Sequence, residues 1–218
     1  MRISVSQKTV DFIINQEVVS PTYYEKKLQS PTWPGGESGV TIGIGYDLGY
    51  TTLQGVTKDW GQLVSPEALN ILLKCVGLKG TTASAFMKMH PEVKTVKIPF
   101  STARTIFINR SLVKYAKATY AIYPGLEELK PDAAGALMSM VFNRGSSLKG
   151  ESRVEMLDIV KQVQERDYVD IAAAIERSKR LWVGKGLDGL IKRREFEANL
   201  VRGAGRDYKP EEIINIEV

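Results

Sequence analysis

The spacing of hydrophobic residues predicts helices along most of the chain. Near the N-terminus it predicts a helix over residues 6–18 with Ser6 as its N-cap. The apolar face of this helix consists of Val10, Ile13, Ile14 and Val18. Beyond residue 52 the same spacing predicts helices over 101–115, capped by Ser101, and over 153–164, 168–179 and 187–201. Two more begin at Ser65-Pro66 and Lys130-Pro131, where proline suits the first helical position.

Residues 20–50 follow a different pattern, because prolines and glycines interrupt them and aromatic residues lie between. The clearest strand covers residues 40–45. Alternation would place Thr41, Gly43, Gly45 and Asp47 on one face, and Ile42, Ile44, Tyr46 and Leu48 on the other. The sequence therefore predicts an α+β fold: a small N-terminal β-hairpin region at 20–50 and a larger helical lobe at 52–218, joined by the first helix within one domain.

The polar face of that strand has a hydroxyl and a carboxylate, with two glycines between them. Because Gly43 and Gly45 have no side chains, another group could approach the backbone there, as in the floor of a cleft. A straight strand of six residues spans roughly 20 Å. Thr41 and Asp47 would therefore address one water molecule only if the chain bends near either glycine. The alternative is a core strand with a turn at its end.

Composition limits the chemistry that the 218 residues can perform. There is one histidine and one cysteine, His90 and Cys75, so a zinc site built from these residue types is excluded in practice. We expect His90 to be a partly exposed residue at a helix end. The net charge of +5 favours polyanionic partners such as nucleic acid, anionic lipid or bacterial cell wall. The N-terminus has no signal-peptide pattern, and no apolar run is long enough for stable membrane insertion.

Carboxylates are the catalytic groups that remain in abundance. Glu17 interrupts the apolar face of the first helix, where desolvation would raise its pKa and suit it to general acid catalysis. A second carboxylate in a more polar turn would complete the minimal equipment for glycoside hydrolysis. The alternative is that Glu17 is an ordinary polar residue at a helix end.

Four stretches, taken in order, resemble phage-type lysozymes, which are α+β glycoside hydrolases. They are the helix end at 16–17, the strand GVTIGIG at 39–45, the turn VFNRG at 141–145 and the closing helix GLDGLIKRREFEA at 186–198. The motif order is most similar to the lysozyme-like activity domain of the bacteriocin pesticin and its phage relatives. Most phage lysozymes have an Asp between the catalytic Glu and the Thr and a His after the strand. This chain has no Asp there, and Tyr46 replaces the His.

The resemblance implies a catalytic role for three residues. Glu17 would be the general acid, Thr41 would position water, and Asp47 would be the second carboxylate. Glu25 and Glu37 are alternatives for that carboxylate. The residues expected to contact substrate are Trp33, Tyr46 and Asn143.

The implied activity is that of a muramidase, which hydrolyses the β-1,4 bond between N-acetylmuramic acid and N-acetylglucosamine. Inversion is our working hypothesis, with carboxyl groups about 6.5–9.5 Å apart. No cofactor or metal is expected, and the enzyme would be a monomer acting on peptidoglycan glycan strands. Made in the cytoplasm without a signal peptide, it would reach the wall through a holin or a secretion system.

Two other functions stay open. A lytic transglycosylase would use Glu17 alone and release an anhydro sugar. A non-catalytic module for cell wall or nucleic acid would also fit the positive charge, although no nucleic-acid motif is present. Whether the chain is a phage endolysin or a bacterial toxin is equally open. Arg193 and Arg194, among glutamates on the closing helix, are expected to form a solvated or interdomain ion-pair face.

Overall fold

The computed structural model describes residues 1–218 and has an α+β fold with a small β region and a larger helical lobe. The chain forms two compact units. Unit 1 consists of Met1–Ile13 and Leu112–Val218, and unit 2 consists of Ile14–Ser111. One catalytic domain over the whole chain stays a prediction.

The strands and helices of the chain are all short. The strands are β1 (Arg2–Ser6), β2 (Thr41–Ile42), β3 (Tyr46–Asp47) and β4 (Ile213–Glu217). The helices are α1 (Gln7–Val18), α2 (Pro21–Lys27), α3 (Leu53–Trp60), α4 (Pro66–Leu73), α5 (Gly80–Met89), α6 (Phe100–Ile106), α7 (Val113–Ile122), α8 (Pro131–Arg144), α9 (Val154–Glu165), α10 (Tyr168–Arg177) and α11 (Asp188–Arg202).

Unit 1 is built around the buried helix α8, against which α11, α7 and β1 pack. Every residue of α8 from Pro131 to Val141 is buried. Gly135 allows close approach, because a β-carbon there would lie 2.6 Å from Thr9 Cγ2. Strands β1 and β4 pair antiparallel, with Arg2 opposite Glu217. The sequence analysis missed both strands, because each needs a partner from the other end of the chain.

Unit 2 contains the hairpin β2–β3 and a helix that the sequence analysis missed. Helix α2 lies inside the region expected to hold only strands and turns, and the Ser20 hydroxyl caps it by accepting from the Tyr23 amide at 3.1 Å. It buries Tyr24, whose hydroxyl donates to the Ile98 carbonyl at 3.1 Å. The core of unit 2 also includes Ile42, Leu48, Trp60, Leu72 and Ile98.

The predicted helix starts are mostly confirmed. The Ser6 hydroxyl accepts from the Thr9 amide at 3.2 Å, and the Ser65 hydroxyl accepts from the Ala68 amide at 3.2 Å. Ser101 as a cap was wrong, because α6 begins at Phe100. The expected helix over 101–115 is not a continuous α-helix either, since a π-helical segment, Phe107–Leu112, separates α6 from α7.

Candidate functional site

The hairpin β2–β3 brings together the two residues expected to position water. The strand expected over 40–45 ends at Ile42, because Gly43 and Gly45 take left-handed backbone conformations with φ of 57° and 71°. The chain therefore reverses, and Thr41 lies opposite Asp47. Side chains opposite each other on antiparallel strands share one face. The bend that a shared water molecule requires is thus present.

The expected alternation of the hairpin is confirmed except at Tyr46, which is half-buried although it was expected on the face of Ile42, Ile44 and Leu48. Ile42, Ile44 and Leu48 are buried, whereas Thr41 and Asp47 are half-buried. Thr32 extends the pairing on the other edge of β2. Its amide and carbonyl exchange hydrogen bonds with Thr41 at 2.9 and 2.7 Å. The side chains of Thr32, Thr41 and Asp47 consequently line one face of a three-segment surface.

The two turn glycines have different surroundings. A β-carbon at Gly43 would lie 3.1 Å from the ring of Trp60, so the protein itself fills the space beside this residue. The idea that Gly43 opens a cleft floor was therefore wrong. At Gly45 a β-carbon would meet no atom within 4 Å, and the residue is exposed. Of the two turn glycines, Gly45 is therefore the one that leaves the backbone open to a ligand.

The carboxylate of Asp47 holds the base of the hairpin together. Both of its oxygens lie 3.1 Å from the amide nitrogen of Gly39, and Oδ1 also accepts from the Gly49 amide at 2.8 Å. Glycine is required at position 39, because a β-carbon there would lie 2.4 Å from Asp47 Oδ1. A carboxylate has about four acceptor sites. Two amide donors therefore leave it capacity for a water molecule.

We expect Asp47→Ala to lower the free energy of unfolding by about 2–4 kcal/mol, because the amides of the buried Gly39 and Gly49 lose their acceptor. Urea denaturation measures the change. Asp47→Asn keeps one amide-accepting oxygen and is expected to lose less than half as much. If Asp47→Ala and the wild type unfolded at the same midpoint urea concentration, these hydrogen bonds would not stabilise the hairpin.

Glu17 lies in the last turn of α1, one residue before the helix ends at Val18. It is exposed, although Ile14 and Val18 on the same helix are buried. The expectation that burial on the apolar face desolvates this carboxyl was therefore wrong, because Glu17 itself is exposed although buried residues precede and follow it. Glu17 belongs to unit 2, as do Thr41 and Asp47. Its role as general acid stays a prediction.

Tyr46 belongs to a packed cluster behind the hairpin. Its hydroxyl donates to Asp59 Oδ2 at 2.9 Å, and its ring meets the Trp60 ring edge-on at 5.4 Å. Burial raises the pKa of the Tyr46 hydroxyl. Arg110 completes the cluster through an ion pair with Asp59 at 2.5 Å. These contacts give Tyr46 a structural role, and its contact with substrate stays a prediction.

The other expected residues have separate surroundings. The half-buried Trp33 donates from Nε1 to the Ser38 carbonyl at 3.0 Å. Asn143 belongs to unit 1, where its amide oxygen lies 3.4 Å from Arg194 Nη2. Glu25 accepts from the Phe100 amide at 3.0 Å, whereas Glu37 is exposed. Neither glutamate lies opposite Thr41 as Asp47 does.

Arg193 and Arg194 are buried in unit 1, so the expected solvated or interdomain face was wrong. Glu197 Oε1 accepts from Arg194 Nη2 at 2.7 Å, from Arg193 Nε at 3.3 Å and from the Ser139 hydroxyl at 2.6 Å. Both arginines and Glu197 are at most 5% exposed. Glu197 therefore compensates one of the two positive charges that the arginines bring inside unit 1.

His90 and Cys75 have structural environments. His90 ends α5, stacks on Phe86 at 4.1 Å and places Nδ1 3.0 Å from Glu92 Oε1, as expected for a partly exposed helix-end residue. Cys75 is buried, which raises the pKa of its thiol to about 11 and keeps it protonated at neutral pH. No group of three or more His, Cys, Asp or Glu residues is placed to hold a metal ion. No helix has the length and apolar character needed to cross a membrane.

Comparison with known proteins finds one family that is similar to part of the chain. Residues 13–119, just under half of the 218, are similar to a family described as a domain of unknown function (DUF8812). A search of curated proteins finds no significant match. The matched region covers all of unit 2 and contains Glu17, Thr41 and Asp47. The similarity to this family thus coincides with the unit that contains the candidate site.

Proposed function

We propose that the protein is a muramidase that hydrolyses the β-1,4 bond between N-acetylmuramic acid and N-acetylglucosamine in peptidoglycan. The observation that carries the proposal is the pairing of Thr41 with Asp47 on one face of the hairpin. The exposed Glu17 lies in the same compact unit. Together these residues supply the acid, the hydroxyl and the second carboxylate that the lysozyme-like motif order requires.

Each residue has a distinct role in the proposed reaction. Glu17 protonates the glycosidic oxygen as the bond to the anomeric carbon breaks. Asp47 accepts a proton from the attacking water, and Thr41 orients that water. No hydrogen bond within the protein engages the Thr41 hydroxyl, which leaves it available to water. Attack from the face opposite the leaving group inverts the anomeric carbon. No cofactor takes part.

The proposal extends to the biological setting. The substrate is the glycan strand of bacterial peptidoglycan, and the net charge of +5 favours its approach to an anionic wall. A monomer suffices for the reaction, because the three catalytic residues belong to one unit. Delivery to the wall depends on a holin or a secretion system.

We expect the purified protein to release reducing muropeptides from isolated peptidoglycan, because water is the nucleophile. Mass spectrometry of the products, with and without borohydride reduction, makes the measurement. Anhydro-muropeptides, which resist reduction, would instead identify a lytic transglycosylase. Intact peptidoglycan after incubation with well-folded protein would overturn the enzymatic proposal.

A further inference from the structure

A concave site in unit 2 lies beside the hairpin, and none of Glu17, Thr41 and Asp47 lines it. Its volume is about 560 Å³, within the range of small-molecule sites. Three segments form its walls: the chain before β2, helix α5, and the segment that follows α5. We call it the lysine pocket, and its lining residues are Ser30, Pro31, Thr32, Trp33, Ser84, Met87, Lys88, Lys94 and Lys97.

One part of the lysine pocket suits the flat face of a ring. Pro31 and Met87 are buried, and the ring of the half-buried Trp33 is anchored through Nε1 to the Ser38 carbonyl at 3.0 Å. An anchored indole offers a rigid apolar surface at low entropic cost. The hydroxyls of Thr32 and Ser84 lie in the same lining and can bond to ring substituents.

The other part of the lysine pocket is strongly positive. Lys88, Lys94 and Lys97 line it, and no acidic residue does. Lys88 and Lys94 form no ion pair within the protein. Glu92, which is near them in sequence, lies 3.0 Å from His90 instead. The three positive charges around the cavity repel one another. An anion bound among them is attracted by each and relieves this repulsion.

Hydrogen bonds hold this positive wall in place. Lys97 Nζ donates to the Ser30 hydroxyl at 2.7 Å, and that hydroxyl donates to the Lys94 carbonyl at 2.9 Å. The Ile98 amide donates to the Gln29 carbonyl at 3.0 Å. The lysines therefore stand on a backbone that is already fixed, which lowers the cost of binding.

We propose that the lysine pocket binds a small molecule that combines a ring face with one carboxylate or phosphate group. The ring packs on Trp33, and the anion lies among Lys88, Lys94 and Lys97. The proposal shares Trp33 with the residues expected to contact the muramidase substrate, but it does not depend on that activity, because none of Glu17, Thr41 and Asp47 lines the pocket. An inactive wild type would overturn the activity and leave the binding measurement valid.

The test is a titration of the full-length protein with matched sugars, followed through the Trp33 indole signal in ¹⁵N NMR and assigned with Trp33→Phe. N-acetylmuramic acid carries a carboxylate that N-acetylglucosamine lacks, and N-acetylglucosamine 1-phosphate supplies the phosphate. We expect each acidic sugar to bind at least about tenfold more tightly than the neutral one, which corresponds to about 1.4 kcal/mol. The acidic sugar that binds more tightly shows whether the pocket prefers a carboxylate or a phosphate.

Variants of the lysines complete the test. Lys88→Gln and Lys94→Gln should each weaken binding of the acidic sugars about two- to fivefold, and the double variant about tenfold. Lys58→Gln makes the same charge change on an exposed residue outside the pocket and should leave binding unchanged. Equal affinity for the neutral sugar, or unchanged affinity in the double variant, would overturn the proposal. Inorganic phosphate binding as tightly as the sugar phosphate would overturn the ring contact.

Discussion

Peptidoglycan hydrolysis by Glu17→Gln is expected to fall about 10²- to 10⁴-fold below wild type, the range that general acid catalysis contributes. Glutamine has nearly the same shape but cannot protonate the glycosidic oxygen. Because Glu17 is exposed, losing its charge should cost at most about 1 kcal/mol, and the melting temperature should change by less than about 4 °C. The release of reducing muropeptides by the folded variant measures the effect.

Glu211→Gln is the matched control for this experiment. Glu211 is also exposed but belongs to unit 1 and to no proposed site, so the variant loses the same charge and should keep wild-type activity. Retention of more than about a tenth of the wild-type rate by Glu17→Gln would rule out Glu17 as the general acid, since such a loss falls short of that range.

The largest effect on stability is expected from Glu197→Gln. Removing this charge leaves Arg193 and Arg194 buried without a counterion. Breaking a buried ion pair costs about 3–5 kcal/mol, and the melting temperature should fall by roughly 6 to 20 °C in a chain of this size. Urea denaturation and thermal melting make the measurement.

The same helix offers a matched control, Glu195→Gln. Glu195 is 46% exposed and pairs with Lys179 at 3.2 Å, so its loss should cost less than about 1 kcal/mol. If Glu197→Gln were as stable as Glu195→Gln, the buried cluster would contribute nothing beyond a surface pair. A triple variant with Arg193, Arg194 and Glu197 replaced by apolar residues should recover much of the lost stability, since no buried charge then remains.

Features with a local cause were predictable from the sequence. Ser6 and Ser65 cap helices by bonding amides three residues ahead, so a short stretch contains all the information needed. The same holds for Pro131 at the start of α8. The hairpin alternation was also predictable, because side chains on a strand alternate whatever lies around them. The motif order indicates Thr41 and Asp47 as candidates, although it does not show that they pair.

Features that depend on distant partners were not predictable. Arg194 looks like a surface residue in its own helix, and its burial depends on Glu197 in that helix and on Asn143 from α8. Lys88 belongs to α5 whereas Lys94 and Lys97 follow that helix, and the fold alone brings all three to one pocket with Trp33. The Gly39 contact of Asp47 likewise exists only after the hairpin register is set.

The pairing of β1 with β4 has a consequence for the order of folding during synthesis. The Ser4 hydroxyl donates to the side chain of Asn215 at 2.8 Å across a sequence separation of 211 residues. A ribosome therefore releases all of Ile14–Ser111 before it makes the partner of β1. Domains fold as units during translation. The contiguous unit that contains the candidate site can thus fold first, and β1 stays unpaired until the last residues of unit 1 have been synthesised.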